Sequence, residues 1–251
     1  MSTNQSKFFA LLMPWGRVGS NMLVATLNAS SKIKIENEPT TGLRSRGFAA
    51  GLTLKEIDAQ HHQHLDDYVA NAPDGMAACG LKLAYRSLID RSAYIERLAA
   101  HDIQLVLMTR ANFLKCAVSR ERAIGRVDKS GSKGQWSSAW AVKTGEPKPS
   151  AMPLDIKSTI QTANTFEALH YEMLGRVQSV YGTNYAHMTY EALQKDLEPQ
   201  VESVFTFLGL PVPEEFVIHH QKATSDKLED DILNYEEFAK AVTDAGMERF
   251  L

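Results

Sequence analysis

Apolar positions along the chain follow two periods. Short, continuous apolar runs at residues 8–14 (FFALLMP), 76–85 (MAACGLKLAY) and 103–109 (IQLVLMT) read as strands buried on both faces. Residues 32–38 (KIKIENE) alternate apolar and polar, as a strand does, until Pro39 interrupts them. Helical spacing covers residues 22–28, residues 93–100 and a segment from 112 to about 127. A further helix of roughly 17 residues opens at the capping box of Thr53 and Glu56 and carries Ile57, His61, Leu65 and Tyr68 on its apolar face. Strands alternating with helices predict a parallel sheet covered on both sides.

Two stretches hold no period. Residues 40–51 read as loop, and residues 128–153, rich in Gly, Ser, Lys and Pro, form a longer one that contains Trp136 and Trp140. Helical spacing resumes at 154–182, and a last strand is expected at 184–190. A helix follows at 199–208 with Pro199 at its start and Gly209 past its end, then a mainly helical tail at 214–251 with a polar break at 223–231. No shift of composition marks a boundary. The expectation is one domain over residues 1–251, α/β in three layers around a central parallel sheet, with a helical C-terminal half.

Composition narrows the chemistry. The 251 residues are 44% hydrophobic and 23% charged, and 27 Lys and Arg against 30 Asp and Glu leave a net charge of −3. That balance excludes a surface that tracks nucleic-acid phosphates, so any anion site must be local. Cys79 and Cys116 sit in apolar runs, away from any metal or redox spacing, and read as buried thiols of a reducing compartment. The first apolar run is too short for a signal peptide or anchor, and no other stretch is long enough to span a membrane; the expected address is the cytoplasm.

The first strand leads into Pro14, Trp15, Gly16, Arg17, Val18, Gly19, Ser20 and Asn21, a loop that puts a cation, a glycine and two small polar residues directly before a helix. Backbone N–H groups at that helix start would cradle a phosphate-like oxyanion, although the same residues also suit a plain strand-to-helix turn. The loop lacks the Gly-Lys-Ser/Thr ending of a Walker A motif and is not G-x-G-x-x-G. The strand at 103–109 ends in Arg110, where a magnesium-dependent nucleotide hydrolase would place an acid; Ser119 follows nine residues later. If the two converge on an anion, Arg110 supplies the fork and Ser119 a neutral donor.

Taken in order, these segments resemble the sulfotransferases that use 3′-phosphoadenosine-5′-phosphosulfate. RVGSN (residues 17–21) looks like their phosphosulfate loop and RANFLKCAVS (110–119) like their 3′-phosphate segment. NEP (37–39), GLK (80–82), QW (135–136), YEAL (190–193), FLGL (207–210) and NYEE (234–237) add to the likeness, which is nearest to bacterial carbohydrate sulfotransferases such as the rhizobial nodulation-factor enzyme. The resemblance implies a P-loop-like fold, with Arg17, Val18, Gly19, Ser20 and Asn21 at the 5′-phosphosulfate, Arg110 and Ser119 at the 3′-phosphate, and a carbohydrate or other hydroxyl acceptor.

Glu38 is the candidate base: ligands of parallel sheets sit beyond strand carboxyl ends, and Pro39 is expected to hold Glu38 extended there. Glu36 is the competitor on the same strand. Positive charge at the leaving phosphate is expected from Arg17, then from Lys82, whose alternative is a snorkelling surface lysine. No metal is required. His61, His62 and His64 share a helix with Asp58 but lack a further ligand at metal spacing. Trp136 and Trp140 suit an acceptor lid or a loop packed on the domain. The rivals are a P-loop kinase or NTPase, which the missing Walker lysine opposes, and a non-catalytic nucleotide-binding protein of the same fold.

Overall fold

The computed structural model describes residues 6–130, 142–143, 145, 149–216, 220–221, 225 and 227–251. The chain forms two compact units, one of Met1–Thr109 with Leu169–Val217 and one of Arg110–Ala168 with Ile218–Leu251.

The first unit is built on a five-stranded parallel sheet. Its strands are β1 (Lys7–Met13), β2 (Ile33–Asn37), β3 (Ala78–Ala84), β4 (Gln104–Thr109) and, later in the chain, β6 (Ala186–Thr189). They lie side by side in the order β2, β3, β1, β4, β6. β1 connects toward one edge of the sheet and β4 toward the other, so the reversal falls between them, and ligands of such sheets gather beyond the strand carboxyl ends at that reversal.

Period-two side-chain alternation sends β1 into two cores. Phe9, Leu11 and Met13 face α1 (Ser20–Asn28) and the later helices α7 (Tyr190–Lys195) and α8 (Leu197–Phe207), packing on Leu23, Leu193, Val201 and Phe205. Ala10 and Leu12 face the other way, toward Leu65 of α3 (Leu54–Ala70), Tyr94 and Leu98 of α4 (Arg91–Ala100), and Met173 and Val177 of α6 (Ile156–Tyr181). Helices therefore cover both sides, and the three-layer α/β expectation holds. At Gly80 the strand passes the Phe9 ring so closely that a Cβ would lie 2.4 Å from it.

Most of the expected elements are found near their predicted places, and α3 has both bonds of the Thr53/Glu56 capping box. Residues 40–51 are a correction. They contain α2 (Pro39–Ala49), for Pro39 ends β2 and also opens a helix at N1, where its missing N–H costs nothing. Weak amphipathicity, with Pro39, Thr40 and Gly47 as the buried positions, hid this helix. Pro199 lies inside the first turn of α8, which starts two residues earlier than expected.

In the second unit, α5 (Phe113–Ser130) runs beyond the end expected near residue 127. β5 (Val142–Lys143) and β7 (His220–Gln221) make an antiparallel pair, so β6 is not the last strand. The tail is less helical than its spacing suggested: among the described residues it holds α9 (Tyr235–Asp244) and two short 3-10 turns. Arg122 of α5 and Asp231 form a buried ion pair, and Arg122 also donates to the carbonyls of Pro149 and Ser150.

Candidate active site

The loop from β1 to α1 is shaped by two left-handed residues, Arg17 (φ 67°) and Gly19 (φ 81°). Gly19 is the N-cap of α1, and its carbonyl accepts the N–H groups of Met22 and Leu23 at 3.1 and 3.2 Å. As a glycine, the N-cap residue has no side chain to cap this helix start. The helix's first amides and the positive end of its dipole suit an oxyanion. A Cβ on Gly19 would stand 3.1 Å from Cδ2 of Tyr190, so glycine is needed for both backbone angle and space. Val18 is buried in the core, so it offers a ligand only its backbone, and Ser20, two residues on, is buried as well. The guanidinium of Arg86 stacks 3.7 Å over the Trp15 ring, and the Arg86 N–H donates to the Pro14 carbonyl at 3.1 Å.

Lys82 stands in the middle of the first unit's polar contacts. It lies on β3 in register with Leu11 of β1 and Asn37 of β2, its side chain 3% exposed. An ammonium buried this way costs several kcal/mol unless acceptors surround it. Two do: Nζ lies 2.8 Å from Glu38 Oε1 and donates to Asn21 Oδ1 at 2.5 Å. Lys82 is thus buried and paired, and the snorkelling reading is set aside.

Glu38 is 31% exposed and serves as the N-cap residue of α2. Its backbone is left-handed (φ 52°), which corrects the extended conformation expected before Pro39. The N–H of Glu38 donates to the Lys82 carbonyl at 2.9 Å, continuing the ladder one residue past β2, and the chain then turns into the helix. The carboxylate does not cap α2. It faces Lys82 and, through Oε2, the Thr41 hydroxyl at 3.4 Å. Glu36 points elsewhere, its Oε2 lying 3.2 Å from His64 Nε2 of α3.

Glu38, Lys82 and Asn21 are therefore brought into contact at the carboxyl end of the sheet, next to the loop that holds Arg17. Arg110 and Ser119 belong to the second unit, where both are buried. Trp136 and Trp140 lie outside the described residues. The three histidines of α3 diverge: His61 is fully buried, His62 lies 3.6 Å from Asp58 and His64 faces Glu36. Burial pushes the His61 imidazole down to about 4, against the pull of Asp58. Among the described residues no group of three or more His, Cys, Asp or Glu is placed to hold a metal ion.

Sequence reasoning missed Thr41, Ser87 and Arg86. Thr41 had a signal, since it stands three residues after Glu38 and so on the same face of a helix starting there. Ser87 and Arg86 had none.

The family model described as a sulfotransferase domain matches residues 96–251, more than half of the chain. No curated protein matches the sequence significantly. Among solved structures, a sulfotransferase from Alicyclobacillus acidocaldarius aligns over 98% of this chain and 97% of its own, at 15% identity and a TM-score of 0.53. A sulfotransferase domain from the curacin biosynthetic pathway aligns over 84% of this chain and 76% of its own (12%, 0.46). Mouse sulfotransferase SULT7A1 complexed with PAP aligns over 99% and 86% (12%, 0.45). At these identities the likeness to the Alicyclobacillus protein is one of fold, and that fold is P-loop-like.

Proposed function

The chain belongs to the sulfotransferase domain family, and we propose that it moves a sulfuryl group from 3′-phosphoadenosine-5′-phosphosulfate to a hydroxyl, of a carbohydrate or glycolipid, by in-line displacement. The family match begins at residue 96, so the roles given to Arg17, Glu38 and Lys82 rest on the loop motif and on geometry. The match also draws on both compact units, which supports reading the chain as one working domain.

The residues suit such a donor. The amides of α1 behind Gly19, with Arg17, Ser20 and Asn21, are suited to hold the 5′-phosphosulfate oxygens. Arg110 and Ser119 are assigned to the 3′-phosphate on their sequence motif. When bound, the donor supplies the sulfuryl group and a phosphate leaving group.

Glu38 accepts the proton of the attacking hydroxyl. Its side chain is partly exposed and held by Lys82, which suits a base that must be fixed yet reachable. Arg17 and the α1 amides stabilise charge on the departing phosphate, with Lys82 as a second cation beside them. The contact that carries this reading is the 2.8 Å pair of Lys82 and Glu38 next to the loop. Nothing in the scheme asks for a metal.

The test is a transfer screen with labelled donor against glycans, glycolipids and small alcohols, without added metal, run on the natural chain and on Glu38→Gln. Labelled product from the natural chain and its loss in the variant are expected. Full turnover by Glu38→Gln would remove Glu38 as the base.

A further inference from the structure

We infer that Thr41, held by Ser87, is a positioning residue that presents Glu38 Oε2, rather than Oε1, to the acceptor hydroxyl. This rests on Glu38 being the base.

The two carboxylate oxygens are unequally satisfied. Oε1 receives the Lys82 ammonium at 2.8 Å, a short charge-assisted contact. Among the described residues, Oε2 receives only the long 3.4 Å contact from the Thr41 hydroxyl. A proton goes to the oxygen whose lone pairs are less committed, and that is Oε2.

Thr41 Oγ1 also lies 2.8 Å from Ser87 Oγ. Each hydroxyl carries one hydrogen. If Thr41 spends its own on Glu38, Ser87 donates to Thr41, and the chain runs from Ser87 through Thr41 to Oε2. The opposite direction would leave Oε2 with no donor.

Ser87 is well placed for this. It is buried and ends the 3-10 turn Tyr85–Ser87 directly after β3. That turn is pinned on both sides, by the Arg86 N–H to Pro14 and by Arg44 of α2, whose Nη1 donates to the Arg86 carbonyl at 2.5 Å. The element that fixes the loop before Arg17 thus also fixes the hydroxyls behind the base. The charged groups around Glu38 in these contacts are Lys82 at Oε1 and Arg44, turned to the Arg86 carbonyl.

Steady-state turnover of the full chain, with the acceptor found in the screen, tests this. Thr41→Val is expected to lower kcat by roughly three- to tenfold while the donor KM stays within about twofold, Ser87→Ala to lower kcat by less, and Thr41→Ser, which keeps the hydroxyl, to leave it unchanged. Affinity for adenosine 3′,5′-bisphosphate is expected to stay within about twofold in all three. An unchanged kcat in Thr41→Val, or an equal fall in Thr41→Ser, overturns the inference. So does loss of bisphosphate binding in Thr41→Val, which would mark general damage to the site. Failure of the base reading shows separately, as turnover retained by Glu38→Gln.

Discussion

The buried ammonium of Lys82 is shared between Glu38, at 2.8 Å from Oε1, and Asn21 Oδ1 at 2.5 Å, so one side chain ties β3 to the first turns of α2 and α1. The helix start proposed to hold the donor and the carboxylate proposed as the base are positioned by the same charge.

Lys82→Met removes that charge while keeping the volume. Glu38 is partly exposed and can be hydrated, so the fold is expected to lose less than about 2 kcal/mol, whereas turnover falls by roughly a hundredfold or more. Urea unfolding and a steady-state assay with the acceptor found in the screen measure the two separately. Equal turnover would take Lys82 out of the site.

At Gly19 a methyl group meets both a left-handed φ of 81° and the Tyr190 ring 3.1 Å away. Gly19→Ala is expected to cost about 1–2 kcal/mol of stability and to weaken binding of adenosine 3′,5′-bisphosphate. Calorimetry of binding and of unfolding checks it; unchanged affinity would mean that the loop amides do not face the nucleotide.

In the second unit, Arg122 and Asp231 are both buried, and Asp231 Oδ2 also accepts the Ser225 N–H at 2.8 Å. Removing one partner strands the other charge. Asp231→Leu and Arg122→Met are each expected to destabilise by about 3–5 kcal/mol, and the double variant by less than their sum. A double-mutant cycle in denaturant gives the coupling directly.

His61 makes stability depend on pH. Its imidazole is held down to about 4 by burial, below the ordinary 6.5. Between those values the unfolded chain binds a proton that the folded one refuses, so stability falls as pH drops through that window, by up to roughly 3 kcal/mol. His61→Leu is expected to flatten this slope. Denaturant midpoints at about pH 7 and about pH 4.5 compare the two chains.

The sheet was legible because strands buried on both faces must be continuously apolar; the runs that hold Phe9, Leu81 and Leu107 announced β1, β3 and β4. The loop stood out as a candidate because a cation and a glycine lie directly before a helix, a pattern it shares with a plain strand-to-helix turn, and Glu38 because an acid at a strand end lies where parallel sheets meet ligands. The helix α2 was not, since it buries only Pro39, Thr40 and Gly47 and so carries no apolar stripe. The sequence put Glu38 ahead of Glu36 because it lies nearer the strand end, but the contacts that separate the two, His64 at Glu36 and Lys82 at Glu38, join elements far apart in the chain and were not legible.

Local periodicity and backbone sterics were thus enough to place β1 to β4, β6 and most of the helices, along with the glycine turn and the inventory of charges, but not α2 or the β5 and β7 pair. Which polar side chains meet is set by the fold instead. Lys82 and Asn21 are 61 residues apart and Thr41 and Ser87 are 46 apart; such pairs form because parallel strands in register bring their carboxyl ends together, a relation that no local pattern encodes.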